Sequence, residues 1–364
     1  MAADPWLVLA AAAVEGVAGY PRRLHTVVPH PVAWIGWQLR ALERWLNRGG
    51  DLARRIAGLA TLLIAAGSAA GAGLLLDHLL TGWAVILAAL VGSLGLAARS
   101  LYDHVAAVSR ALSPHESFLP CAAGEGDRPQ GGGGGEPQAQ RLVAPPPPAS
   151  PVPLPHEWGR KETQSTEGDY NLPAARAAVA MIVGRDTGCL DEEGVAAAAL
   201  ESLAESFNDG VVAPLFWFLV GGLAGLFAYK AVNTADSIIG HREEPYRCFG
   251  WAAARTDDLM NLIPARIAGA LIALAAGRGW TVMLRDAAKH ASPNSGWPEA
   301  AVAGALGVQL GGPASYDGVA HERPTFGDGP RPSPLDLHRG LGLYLRACAI
   351  LAAALALGGL AWPR

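Results

Sequence analysis

Uncharged runs dictate what this chain can fold into. Ile56 to Leu76 is 21 residues without a charge. As a helix rising roughly 1.5 Å per residue it spans about 31 Å, the thickness of a bilayer's hydrocarbon core. Gly82 to Ala98 is a second such run of 17 residues, and Val211 to Tyr229 a third of 19. Asp77 to Thr81 is too short for anything but a tight turn, so the first two runs are expected as a transmembrane helical hairpin. The third contains Gly221, Gly222 and Gly225, small residues that let helices pack closely in lipid. A fourth run, Gly340 to Ala361, holds Arg346 near enough to one end to snorkel. Ala- and Gly-rich helices also fill soluble helical cores, but runs of this length favour lipid. Only 16% of residues are charged against 51% hydrophobic, and soluble domains usually carry about 25% charged. The expected fold is all-α: a polytopic integral membrane helical bundle of about four to six membrane segments, with amphipathic and re-entrant helices.

Two shorter segments are ambiguous. Trp6 to Val14 lacks a positive n-region and a small-residue cleavage pattern, and reads as a retained anchor. Leu262 to Ala276 contains Pro264 and Arg266; it covers only about 22 Å, as a broken or re-entrant helix would. Between Pro120 and His156 lie ten prolines and seven glycines, including Gly131 to Gly135 and Pro145 to Pro148. Such a stretch cannot bury enough apolar surface to order itself, so 119–166 is expected to be a disordered linker. It separates an N-terminal membrane block, 1–118, from a C-terminal one, 167–364. Arg22 to Arg55 holds seven arginines against Glu43 and Asp51, which makes it a cytoplasmic loop by the positive-inside rule. If the third run crosses fully, Asn233 to Asn261 face the opposite side from that loop.

Several chemistries are excluded. With 28 basic and 32 acidic residues the net charge is −4, which does not suit nucleic-acid binding. Cys121, Cys189, Cys248 and Cys348 form no CxxC pair and suggest neither zinc nor a disulfide framework. The P-loop, dinucleotide, HExxH and GxSxG patterns are missing.

Polar residues instead gather in three clusters beside the apolar runs. The first is Glu201, Glu205, Asn208 and Asp209, with the two glutamates one helical turn apart. The second is the densest: Lys230, Asn233, Thr234, Asp236 and Ser237, followed by Arg242, Tyr246, Arg247, Arg255, Asp257, Asp258, Asn261 and Arg266. Ionisable groups at a membrane boundary are expensive and usually functional. Arginine and lysine suit phosphate oxygens. Adjacent carboxylates suit Mg²⁺, which usually takes one or two of them plus substrate phosphates. An interfacial salt-bridge network is the plainer alternative. The third cluster runs from Asp286 and His290 through Ser292, Asn294 and Ser295 to Glu299, with Ser-Pro-Asn-Ser-Gly as turn chemistry leading into a helix. A lone histidine such as His290 is more often structural.

The residues also carry a family pattern. HPVAWIG at His30 to Gly36, SLYDHV at Ser100 to Val105 and GRDT at Gly184 to Thr187 are followed by ESLAESFNDGVVAPLFW at Glu201 to Trp217 and YKAVNTADSIIGHR at Tyr229 to Arg242. FGWAAARTDDLMNLIPARI at Phe249 to Ile267 and SPNSGWPEAAVAGALGVQLGG at Ser292 to Gly312 complete the series. In this the chain resembles the adenosylcobinamide-phosphate synthase family of cobalamin biosynthesis, also called CobD/CbiB. It departs from the pattern at Tyr20, where an Asp is usual, and at Ser206, where the family commonly has Asn after the glutamate.

The resemblance implies a multi-pass enzyme of the cell (inner) membrane. It would join the carboxyl of adenosylcobyric acid, a corrinoid, to (R)-1-aminopropan-2-ol or its O-phosphate, using ATP and Mg²⁺. On that reading Glu205, Asp209, Lys230 and Asp236 are the expected catalytic group. His30, Asn233, Thr234, Ser237, Arg255, Asn261, Arg266, Ser292 and Asn294 would bind substrate or phosphate, and Asp257 and Asp258 the metal. Partners would be the lipid bilayer and other late enzymes of the pathway. A non-catalytic sensor or pathway organiser on the same scaffold is the alternative. A transporter is a third reading, but it predicts charges within several spans, and the three best runs have none.

Overall fold

The computed structural model describes residues 3–20, 29–113, 171–316 and 318–362. The linker 119–166 lies outside the described residues, as do Arg22, Arg23 and Cys121. The described residues on the two sides of the linker belong to one compact unit.

The architecture is helical. The main helices are α1 (Pro5–Ala18), α2 (Pro31–Leu46), α3 (Asp51–Leu79), α4 (Val85–Ser93), α5 (Ala98–Ala111), α6 (Leu172–Ala180), α7 (Glu192–Phe207), α8 (Ala213–Ile239), α9 (Trp251–Met260), α10 (Leu262–Ala276), α11 (Trp280–Asp286), α12 (Gly296–Leu306) and α13 (Pro334–Ala361). Strand structure among the described residues is confined to two short antiparallel pairs. One joins Leu310–Gly311 to Thr325–Phe326, the other Ala314–Tyr316 to Val319–His321. Helix starts follow side-chain chemistry: Asp4, Asn171 and Asp191 accept backbone N–H groups at the heads of α1, α6 and α7, and Ser333 and Asp336 form a capping box on α13.

Among the described residues, four helical stretches are long and apolar enough to cross a membrane: Asp51–Leu79, Val85–Ala111, Glu192–Ile239 and Pro334–Ala361. The pair α9 and α10, bent by 48°, would make a fifth. On α3 only 22% of the most apolar window is buried within the protein, and Ile56, Leu63 and Leu74 all stand more than half exposed. A long apolar helix exposed in this way has its natural cover in lipid tails.

Two expectations are corrected. The chain does turn at Leu80 and Thr81, but α3 and α4 do not form a packed hairpin: α3 lies along α8, and α4 packs on α1. The larger correction concerns the third run. The helix α7 runs on into it without a break. A π-helical turn, Asn208–Val212, carries it straight into α8, and α8 then breaks at Gly222, whose φ of 63° and ψ of −156° are essentially glycine-only.

The chain reverses at Gly222. Near the break, Gly225 sits so close to the Trp217 carbonyl that a β-carbon would overlap it. At the open end, Asn233 Nδ2 donates to Asp209 Oδ2 at 3.3 Å. The run is therefore two antiparallel arms with their tip at Gly222, where the Leu223 N–H that starts the second arm donates to Asp77 Oδ1 at 3.2 Å.

This reversal returns Asn233 to Asn261 to the side of the basic loop. The loop after the second arm meets the basic segment: Arg54 pairs with Glu244 at 2.8 Å, Arg247 with Asp51 at 3.3 Å, and Asn47 Nδ2 donates to the Pro245 carbonyl at 3.2 Å. Asn233 to Asn261 thus lie at the same end of α3 as Arg54, not opposite it.

Candidate functional site

The open end of the two-armed hairpin brings the three polar clusters together. A cavity of about 240 Å³ is lined by Glu205, Asn208 and Asp209 from the first cluster. Asp236, Arg242, Asp257, Asp258 and Asn261 come from the second, and His290, Ser292, Asn294 and Ser295 from the third. Each group arrives on its own element: α7 and its π turn, the second arm of α8, α9, and the turn before α12. The π turn matters because one extra residue per turn rotates Asn208 and Asp209 relative to the regular helix, a device common at functional sites.

Amides organise the carboxylates. Asn208 Nδ2 donates to Asp209 Oδ1 at 2.7 Å and to Asn261 Oδ1 at 2.9 Å. Asn233 Nδ2 bridges Asp209 and Asp257 at 3.3 Å to each. Asn261 Nδ2 donates to Asp257 Oδ2 at 3.0 Å, and the Tyr229 hydroxyl donates to Asn261 Oδ1 at 3.1 Å. From the third cluster, Asn294 Nδ2 donates to the Asp258 carbonyl at 2.7 Å, and the Ser295 hydroxyl to Glu205 at 3.2 Å. Five carboxyl groups therefore face one small space. Of these, Asp258 has an ion pair, with Arg255 at 3.2 Å.

Other residues expected at the site do different work. Lys230 stands behind the amide layer, 3.4 Å from Asn233 Oδ1. Thr234 and Ser237 turn their hydroxyls back onto the carbonyls of Lys230 and Asn233. Arg266 stacks over Trp297 with 4.6 Å to the ring centroid and donates to the Leu262 carbonyl, so it lies outside the cavity lining. His30 caps α2 by accepting from Val32 N–H and meets Tyr20 edge-on; it too is outside the lining. Tyr229 and Trp217, which donates to the Met260 carbonyl at 3.1 Å, were not picked out from the sequence. Their signal was only membership in the family motifs Glu201 to Trp217 and Tyr229 to Arg242.

The third cluster splits. Asp286 is fully buried and claimed by Arg285, Lys289 and the Gly327 N–H. These donors, Arg285 first, hold its carboxyl far below the ordinary range. His290 lines the cavity, accepts from the Ser292 N–H at 2.9 Å and lies 3.7 Å from Glu299. Burial pulls its imidazole below the usual value, so it is neutral at pH 7. Burial, then the charges of Glu201 and Glu205, push the Glu299 carboxyl well above the usual carboxylate range. Glu201 itself pairs with Arg185 and, at 3.1 Å, with Arg323.

No three His, Cys, Asp or Glu side chains form a metal-holding group among the described residues. The donors at the cavity still suit a hard cation of the kind that needs only one or two carboxylates. Its carboxylates and amide carbonyls offer oxygens, and the buried Oδ1 atoms of Asn208 and Asn294, both on the lining, have no hydrogen-bond partner.

Comparison with known proteins gives the same pattern over nearly the whole chain. The model of the CobD/CbiB protein family matches residues 8–123 and 156–344. The cobalamin biosynthesis protein CobD of Rhodobacter capsulatus is 41% identical over 362 residues, covering 98% of each chain. This chain belongs to the CobD/CbiB family. The protein of the same name from Geobacter metallireducens is 41% identical over 347 residues, covering 92% of this chain and 90% of its own. That from a Sinorhizobium species is 41% identical over 364 residues, covering 95% of each. No solved structure matches the chain. The CobD/CbiB match covers all three clusters, so the cavity is built from residues within the family region.

Proposed function

We propose that the chain is an amide-forming ligase of cobalamin biosynthesis in the cell (inner) membrane. It joins the carboxyl of adenosylcobyric acid to (R)-1-aminopropan-2-ol or its O-phosphate. The observation that supports this most is the convergence of Asp209, Asp236, Asp257 and Asn261 at one cavity beside the basic segment, which the positive-inside rule makes cytoplasmic. A water-soluble co-substrate of the cytoplasm then has direct access.

An amine reaches the site as an ammonium ion and attacks only after losing a proton. Asp209 and Glu205 line the cavity and are the bases for that step. Asn233 holds Asp209 and Asp257 apart while fixing both. Arg242 on the lining supplies a cation for the anionic end of the amine phosphate. Asp257 and Asp258, with the unpartnered oxygens of Asn208 and Asn294, would hold Mg²⁺, which neutralises phosphate charge when bound. ATP, when bound, supplies the phosphoryl group that makes a carboxylate oxygen a leaving group.

The test is complementation of a strain blocked between cobyric acid and cobinamide. Growth without added cobinamide, lost in Asp209→Asn while the variant still accumulates in membranes, supports the ligase. Failure of the unaltered chain to restore growth despite good expression favours the organiser.

A further inference from the structure

A second basin lies away from the acidic cavity, where α5, α13 and the ends of α10 and α12 meet. Its volume is about 1030 Å³, and Arg110, Arg278 and Arg346 line it. All three are exposed, and each donates to a carbonyl: Ala106, Ala305 and Gly342. None has a carboxylate partner among the described residues. Other charges on the basin are already neutralised. Arg339 pairs with Asp336 at 2.8 Å, and Asp103 with Arg99 at 3.3 Å. The basin thus carries about three uncompensated positive charges in a protein of net charge −4.

An apolar groove of about 590 Å³ opens from the same place. It shares Tyr102, Asp103 and Leu345 with the basin and continues along Ala349, Ala352 and Leu355 of α13. The direction of this groove is fixed by contacts. The Tyr344 hydroxyl donates to the Ala98 carbonyl at 2.8 Å, beside Ala97, whose N–H meets Gly210 at the open end of the hairpin. Farther along, Gly358 and Gly359 touch Pro5 and Trp6, while Ala3 N–H meets Leu219 near the tip. The basin therefore sits at the level of the acidic cavity, at the membrane boundary, and the groove descends toward the tip, into the apolar zone.

We propose that basin and groove together hold one anionic phospholipid, its phosphate among Arg110, Arg278 and Arg346 and an acyl chain along α13. A free phosphate ion would satisfy the arginines but leave the groove bare. A zwitterionic lipid would fill the groove but bring its own cation to the arginines. Basic pockets between membrane helices on the cytoplasmic side are known to select anionic headgroups.

The experiment uses the full chain in neutral detergent, with phosphatidylglycerol, phosphatidylcholine or inorganic phosphate added and lipid retention read by native mass spectrometry. The expected result is one retained phosphatidylglycerol, favoured at least about tenfold over phosphatidylcholine. Each of Arg110→Gln, Arg278→Gln and Arg346→Gln lowers that preference by about fivefold, since one such charge near a headgroup is worth about 1 kcal/mol. Arg44→Gln on α2, outside the basin, leaves it unchanged. Ala352→Trp, which fills the groove, weakens retention of both lipids. Equal retention of the two lipids by the unaltered chain overturns the proposal before any variant is made. So does a preference that survives the arginine changes, or full displacement of phosphatidylglycerol by equimolar inorganic phosphate.

Discussion

Glu201 and Asp209 lie about two turns apart on one continuous helical stretch, yet their surroundings differ in kind. Glu201 is buried and covered by two guanidinium groups, Arg185 and Arg323, with the Gly311 N–H on its other oxygen. Asp209 is held by neutral amides, Asn208 and Asn233, and shares a cavity with four more carboxyl groups. The first is closed: the Glu201 charge is fully met by guanidinium groups inside the protein, and these contacts fix the strand-bearing segment to α7. The second leaves negative charge exposed to whatever enters. Acidic residues next to membrane helices can thus serve architecture or chemistry, and the counter-charge decides which.

That contrast can be broken experimentally. If the proposed ligation is the activity, Asp257→Ala is expected to lower it about 10³-fold in membranes, about 4 kcal/mol of barrier, while thermal stability holds or rises because one of several crowded acids is gone. A large fall in melting temperature instead would place Asp257 with the structural acids. Glu201→Ala should do the reverse. It strands two half-buried guanidinium groups and costs about 3 kcal/mol of stability, read as lost expression and a lower melting temperature, with activity per folded molecule much less affected. Gly222→Ala tests the scaffold beneath the cavity. The backbone there excludes a β-carbon, so a cost of about 1–3 kcal/mol is expected, with activity and stability declining together.

The smallest effect is a slope. Glu299 keeps its proton in the folded protein well above the pH at which the unfolded chain loses it. Its contribution is therefore fully present below about pH 4.5 and declines as pH rises through that value toward the folded one. Glu299→Gln carries no such proton, so its melting temperature should change less with pH above about 4.5 than that of the unaltered chain. An identical slope in both would show that the carboxyl is ionised in the fold.

Much of the fold could be read from the chain because apolar run length is a one-dimensional property. The long helices α3 and α13 follow directly from it. The hairpin at Gly222 could not be read that way. Nineteen uncharged residues look alike whether they cross once or turn back midway, and only the contacts of Gly225 with Trp217 and of Leu223 with Asp77 distinguish the two. The site divides similarly. Its clusters were visible as unusual polar density beside greasy segments, and they meet at one cavity. Which carboxylates carry a cation was not visible, because Arg185 and Arg323 reach Glu201 from 16 and 122 residues away. Arg266 and His30 were expected at the site from the family resemblance; packing on Trp297 and capping of α2 claim them instead.

The reversal at Gly222 also sets the arithmetic of crossings. A segment that enters and leaves through one face contributes nothing to the count, so α13, running from the arginine basin to its contacts with Pro5 and Trp6, carries the chain away to the other face. A cysteine placed at Ala361 should accordingly react with an impermeant reagent applied to one surface of sealed vesicles, and a cysteine at Ser237 only with reagent trapped on the other.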